Sequence, residues 1–443
     1  MDRDREVDSK LRRALGPWQA ASLVVGTIIG TGIFLKTAVM AQMGGSPAWV
    51  LAAWACAGLL SLFGALTYAE LGAMYPHAGG EYVFLRKGYG PAMGYLYAWN
   101  RFWIATPGSI AAYAVGTTTF LGGVLDIDPD SKVVALTLVV VFTGVNCLNV
   151  RAGGWLQTVL TAMKVVMIGG LALGALFFAR GGDWSRVGDS GPGFPGWSAF
   201  GAMVLAALWA YDGWNNLPMA AGEVRDPQRN LPRAIVWGAL GVFVIYALVN
   251  VGYFHALPFA EIATPSSESV AQKTATTFLG GTTQALLAAA MAISAISAMN
   301  GSMLTGARVP YAVASDGLAP RPLAKVAKGQ HVPVVSVLVQ GGLACIYALS
   351  GRFDQLTDAV VFASWLFYAL NAGTVLLLRV REPTRERAFR VPGFPVVPVI
   401  FMALAALLLL NTIWTAPRAT ALGVGTTAVG ALVYVLFYRR RRP

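Results

Sequence analysis

Apolar side chains gather along this chain into long uncharged stretches, such as Ile235 to Phe254, Val399 to Trp414 and Ala421 to Tyr438. Each approaches or reaches the roughly 20 residues that cross the hydrocarbon core of a bilayer as a helix. Read with a window of about 19 residues, such stretches fall near 17–39, 48–72, 92–121, 132–149, 155–179, 197–220, 233–256, 282–312, 333–350, 356–379, 394–414 and 420–438. The pattern predicts an all-α membrane protein of twelve transmembrane helices that fill the chain, leaving no room for a soluble domain.

Two of the twelve are not continuous runs of helix formers. Span 1 is interrupted by Gly26-Thr27-Ile28-Ile29-Gly30-Thr31-Gly32-Ile33-Phe34, and span 6 by Trp209-Ala210-Tyr211-Asp212-Gly213-Trp214-Asn215-Asn216-Leu217-Pro218. Taken alone, Gly30 and Gly32 are also what close helix packing asks for. Each interruption, however, opens a five-span half, and the second carries an acid. Matching interruptions point to an inverted-repeat transporter whose broken helices meet at the midplane. The predicted organisation is one transporter domain over 1–443: a cytoplasmic tail over 1–16, five-helix repeats over 17–180 and 197–380, two added helices over 392–438, and a tail over 439–443.

Composition sharpens this picture. Apolar residues make up 56% of the chain and charged residues only 12%, with 50 glycines, which a soluble domain does not tolerate. If the N-terminus is cytoplasmic, the inside segments collect most of the arginines, including Arg12, Arg13, Arg225, Arg229, Arg308, Arg379 and Arg439 to Arg442. The outside segments hold few cations: Lys36, Lys132, Arg180, Arg186, Lys273, Arg352 and Arg418. Both termini are therefore expected inside the cell (inner) membrane by the positive-inside rule. The net charge of +12 then reports topology and an anionic leaflet, with no nucleic-acid partner implied. The charged first 13 residues lack the apolar core of a removable signal peptide. Cys56, Cys147 and Cys345 fall inside predicted spans, with neither metal-binding nor disulfide spacing, and no cofactor or metal is expected.

Several stretches carry a family likeness. Gly26 to Phe34 resembles the first-helix signature of the amino acid, polyamine and organocation transporter superfamily. Tyr68-Ala69-Glu70-Leu71-Gly72, Pro76 and Gly79-Gly80-Glu81-Tyr82 look like that superfamily's loop after span 2. Trp209 to Asn215 running into Glu223 to Ile235, and Asn300-Gly301-Ser302 with Arg308, are similar to its L-type amino acid transporter branch. The resemblance implies a LeuT-type fold, a 5+5 inverted repeat with discontinuous helices 1 and 6 plus two extra helices, and sodium-independent exchange of amino acids. Animal members of the branch pair through a cysteine after span 3 with a single-span glycoprotein. The corresponding loop here, Gly122 to Ser131, has no cysteine, so no disulfide-linked heavy chain is expected.

An amino acid must have its carboxylate and ammonium matched where water is scarce. Backbone N–H groups around Thr31, Gly32 and Ile33, at the positive end of a half-helix, suit the carboxylate. Carbonyls around Thr27 and Ile28, with those near Trp209 and Ala210, suit the ammonium, and Gly30 and Gly32 let a ligand approach the main chain. The family's substrate-contacting positions fall on these same residues. Asp212, costly in mid-membrane by about 2.5 to 3.5 kcal/mol on insertion scales, reads either as a determinant of substrate side chain or proton, or as an acid that shapes the break. Side-chain selectivity is expected from Trp209, Ser109, Phe362, Ser364 and Trp365.

Lys164 lies too deep in span 5 to reach the interface, whereas Arg101 is expected to snorkel from the start of span 3. In sodium-independent relatives a lysine at the position matching Lys164 stands where other members of the fold hold sodium. Its expected partners are carbonyls near Gly26 and the hydroxyl of Ser294. The leading reading is therefore an exchanger of neutral amino acids, an amino acid carrier and not an enzyme. A proton-coupled symporter, or a cationic amino acid or polyamine antiporter, is the alternative. No catalytic motif points to an enzyme, and no continuous polar stripe to a channel.

Overall fold

The computed structural model describes residues 11–125, 128, 131–148, 150–191, 193–266, 268–280, 284–327, 331–350 and 353–438. Most of both predicted tails, 1–10 and 439–443, and part of the 122–131 loop lie outside the described residues.

The first elements are two half-helices, α1 (Pro17–Ile28) and α2 (Gly32–Gln42), followed by α3 (Pro47–Met74) and a short α4 (Glu81–Tyr89). Next come α5 (Pro91–Asn100), a π-helical stretch over Arg101–Ala105, and α6 (Thr106–Leu125). The first half closes with α7 (Lys132–Asn146) and α8 (Val150–Phe177). The second half opens with another interrupted pair, α9 (Trp197–Tyr211) and the single turn α10 (Asn216–Met219), and continues with α11 (Pro227–Ala256). After α12 (Phe259–Ala263) and α13 (Val270–Leu279) come α14 (Gln284–Gly306), α15 (Arg308–Ser315), α16 (Val334–Ser350) and α17 (Phe353–Arg381). The chain ends in α18 (Val396–Thr415) and α19 (Pro417–Val433), the last running into a π turn over Tyr434–Tyr438.

Local sequence explains these boundaries. Proline opens α3, α5, α11 and α19, at the one helical position where a missing N–H is no loss. Ser269 and Gln272 form a reciprocal capping box at the start of α13. Among the described residues, eight helical segments are long and apolar enough to cross a membrane, and α7, α9 and α16 are shorter apolar helices. Large apolar side chains such as Val166, Phe177, Trp197, Trp414 and Leu436 stand exposed on the outer surface. Water would penalise that surface, and a multi-pass membrane protein presents it to lipid.

Inside, α1 runs against α8, α11 and α14, while α9 lies against α2 and α3. The two interrupted helices thus sit at the centre, with α11 packed on α3 and α14 on α6 around them.

Candidate functional site

Breaking a helix strands its last carbonyls, and each must find a donor elsewhere. At the end of α1 the donors are all side chains from other helices. Lys164 Nζ on α8 donates to the Gly26 carbonyl at 2.8 Å and to that of Ile29 at 2.6 Å. The Tyr113 hydroxyl on α6 reaches the Thr27 carbonyl at 3.4 Å, and the Tyr246 hydroxyl on α11 the Ile28 carbonyl at 3.1 Å. Ser294 Oγ on α14 donates toward the carbonyls of Ile29 and Gly30 at 3.3 and 3.4 Å.

Lys164 is 1% exposed, and its third hydrogen goes to the main-chain carbonyl of Ser294 at 2.9 Å. An ammonium has three donors and no acceptor, so three carbonyls from α1, the break and α14 saturate it. Ser294 was expected to offer its hydroxyl to this lysine. It offers its carbonyl instead, and the hydroxyl turns to the break.

The second break leans directly on the first. Ala210 sends its carbonyl to the same Tyr246 hydroxyl at 3.1 Å, so one phenol faces both breaks. Its single hydrogen serves one carbonyl at a time. Thr27 Oγ1 points to the Gly213 carbonyl at 3.0 Å as well as back to Leu23 at 2.6 Å. Gly213 has φ +128, and a Cβ there would lie 2.7 Å from the Thr27 carbonyl carbon, so only glycine fits this crossing. A Cβ on Gly32 would lie 2.5 Å from that of Ala210, and one on Gly30 2.7 Å from the Tyr113 ring. In this conformation the room at both glycines is taken by protein: Ala210 and Tyr113 stand where close ligand approach was expected.

Trp209 is buried, with its ring centroid 5.3 Å from that of Tyr113 and its indole N–H 3.4 Å from Thr31 Oγ1, so it roofs the first break. Gly32 and Ile33 form the first turn of α2, at the positive end of that half-helix. Asp212 sits at the end of α9 and accepts from the Tyr368 hydroxyl of α17 at 2.8 Å. Ser109 is buried one turn before Tyr113 on the same face of α6. Ser364 is buried one turn before Tyr368, its hydroxyl without a hydrogen-bond partner among the described residues.

Two selectivity residues do not come to the breaks. Phe362 lies against Gly423 of α19, and Trp365 packs on Phe401 of α18 at 5.5 Å between ring centroids. A helix face spans about 100°, and the one that carries Ser364 and Tyr368 inward turns Phe362 outward. Arg101 differs too: it stands at the start of the π-helical stretch, is 3% exposed and donates to Asn216 Oδ1 at 2.6 Å, at the second break and away from the interface. Lys36, counted among the outer charges, is buried and donates to Thr357 at 3.1 Å.

Among the motif acids, Glu70 accepts from Arg379 at 2.8 Å and lies 3.2 Å from Arg387, and Glu223 pairs with Arg308 at 2.9 Å. Glu81 instead takes hydroxyl hydrogens from Tyr68, at 2.6 Å, and Tyr97, with the Asn215 amide at 3.3 Å. Residues that the sequence reading did not single out therefore complete the centre: Tyr113, Tyr246 and Tyr368. A signal existed for one of them, because Tyr246, Asn250 and Tyr253 place polar groups at helical spacing in an otherwise apolar run.

A family profile described as amino acid permease matches residues 15–437. The b(0,+)-type amino acid transporter 1 of Mus musculus is 32% identical over 92% of this chain and 84% of its own length. The serine/threonine exchanger SteT of Bacillus subtilis is 30% identical over 98% of this chain and 99% of its own. The human cystine/glutamate transporter is 29% identical over 97% of this chain and 86% of its own. With two adjoining broken helices at its centre and a profile match from end to end, the chain belongs to the amino acid permease family, on the L-type transporter branch of the superfamily that its first-helix signature resembles.

Proposed function

We infer that this protein is a sodium-independent exchanger of neutral amino acids that works by alternating access in the cell membrane, with both termini cytoplasmic. Twelve spans in a LeuT-type arrangement, repeats over 17–180 and 197–380 and two further helices over 392–438 make up its single transporter domain. The observation that carries the exchange reading is the seat of Lys164. A tethered ammonium saturated by the carbonyls of Gly26, Ile29 and Ser294 holds the first break together without a diffusible cation. The relatives named as exchangers or transporters of amino acids support the same class of activity.

The substrate's carboxylate meets the N–H groups of Thr31, Gly32 and Ile33, and its ammonium takes the carbonyls of Thr27, Ile28 and Ala210. Those carbonyls are held by hydroxyls of Tyr113 and Tyr246 at 3.1 to 3.4 Å, neutral bonds that a charged ammonium outcompetes. Binding thus draws Tyr113 off Gly30 and opens α9 from Gly32, which couples occupancy to movement of the breaks. The carrier acts without a disulfide-linked heavy chain.

The test is uptake of a labelled amino acid panel into liposomes reconstituted with the purified chain. Uptake should require unlabelled amino acid inside, and be indifferent to sodium and to an imposed pH gradient. Accumulation in empty liposomes driven by outside acid would instead make the protein a proton symporter.

A further inference from the structure

Below the second break lies a cluster of buried polar groups drawn from five elements: Tyr68 of α3, Glu81 of α4, Tyr97 with Arg101 around the π stretch, Asp212 with Asn215 and Asn216 at the second break, and Tyr368 of α17. It contains two acids and one base, all deep in protein: Glu81 is 0%, Arg101 3% and Asp212 8% exposed. The acids are not equally satisfied. Glu81 collects two phenol hydrogens and one amide hydrogen. Asp212 takes one side-chain hydrogen, from Tyr368, and one main-chain hydrogen, from Gly213.

Arg101 shows the complementary inequality. Its Nη2 donates to Asn216, while Nε and Nη1 have no hydrogen-bond partner among the described residues although both are buried. Asn216 stands four residues after Asp212 in the same break, so the bond to Asn216 holds the guanidinium at the break that Asp212 opens. Glu81, which accepts from the neighbouring Asn215, and Asp212, at the start of the same break, are the acids of this cluster. A guanidinium stays charged in any protein setting, so this cation is permanent.

We propose that Arg101 is the built-in counter-cation of Asp212 and thereby the residue that sets this carrier's preference for neutral over cationic amino acids. The inference rests on the exchanger reading and extends it to substrate class. A bare acid beside the ligand's side chain attracts lysine, arginine or a polyamine. A fixed guanidinium at the same break offsets that attraction, and a second cation entering there meets its repulsion, which discriminates by building a penalty against the wrong ligand.

The experiment compares exchange of labelled serine and labelled lysine in liposomes carrying the full chain as wild type, R101K, R101Q and R101Q/D212N. In R101Q the ratio of lysine to serine uptake should rise about tenfold or more, a fold-change typical of relieving a like-charge penalty. It should stay at the wild-type value in R101K and fall back in R101Q/D212N. An unchanged ratio in R101Q with serine exchange intact overturns the proposal, as does a wild type that carries lysine as readily as serine. If R101Q does not reach the membrane, R101H replaces it: lysine uptake relative to serine should climb between pH 5.5 and 8 as the imidazole loses its charge. A ratio flat with pH overturns the proposal equally. Failure of the wild type to exchange any neutral amino acid strikes the exchanger reading itself, and is recognisable because serine counts vanish in every sample.

Discussion

Three hydrogens on one ammonium and three carbonyls around it make Lys164 a residue that other side chains cannot imitate. Lys164→Met keeps much of the volume and removes every donor, leaving the Gly26 carbonyl at the break without its side-chain partner and those of Ile29 and Ser294 each one donor poorer. At about 1–3 kcal/mol for each group so stranded, the variant should melt several degrees lower in detergent and lose at least nine-tenths of its exchange. Full exchange by Lys164→Met would show that the first break needs no fixed cation. The lysine itself was legible, because a charge deep in an apolar span is conspicuous. Two of its acceptors, at Ile29 and Ser294, were not, since a main-chain carbonyl carries no mark of residue type. The glycines were legible as residues needing closeness, but what approaches them was not. Gly32→Ala puts a methyl 2.6 Å from the Ala210 Cα, a main-chain obstacle that cannot rotate aside. Exchange should fall below a tenth of wild type while the protein still inserts, as read by uptake normalised to the amount reconstituted.

At the scale of elements, α11 adds a bridge between the two half-helix pairs beyond their own direct contacts. Tyr246→Phe removes the one hydroxyl that faces both the Ile28 and the Ala210 carbonyl. The loss should be about 1 kcal/mol in stability, the usual net worth of such a bond, with a larger effect, about tenfold, on exchange because both breaks are touched. Melting and uptake measured on the same preparation separate the two. The broken segments could be read from Gly26 to Phe34 and Trp209 to Pro218, since poor helix formers inside apolar runs stand out. The rotation of α17 could not: Ser364 faces inward and Phe362 faces α19, and the polar residues of this helix are scattered around it instead of marking one face. Just past the end of α17, Glu382 is an ordinary solvent-side carboxyl with a readable pH signature. Partial burial opposes its ionisation, yet the Tyr75 hydroxyl and Arg385 hold its titration below the usual glutamate range. A carboxyl depressed by folding stabilises above its unfolded pKa and loses that contribution as pH falls through its folded one. Glu382→Gln should therefore melt slightly lower than wild type at pH 7, by no more than an exposed pair is worth, and the gap should close below about pH 4.

Across the whole molecule, charge is concentrated where the predicted cytoplasmic ends of the helices converge. Glu223, after the second break, holds Arg308 at the start of α15, while Glu70 at the end of α3 gathers Arg379, Arg387 and the Val391 N–H. Removing one member of a buried pair typically costs about 3–5 kcal/mol. Arg308→Ala should accordingly lower thermal stability far more than Arg418→Ala on the surface, in side-by-side melting curves. The chain approaching α1 is fastened to the same region by its backbone: the Leu15 N–H donates to the Glu223 carbonyl at 2.9 Å, and the Arg225 N–H to that of Leu15 at 2.9 Å. These two amide hydrogens join the segment entering the first break to the segment leaving the second. Any motion that parts the inner ends must expose them to solvent deuterium, so their exchange rates clock opening in the unlabelled protein, residue by residue and without a reporter group.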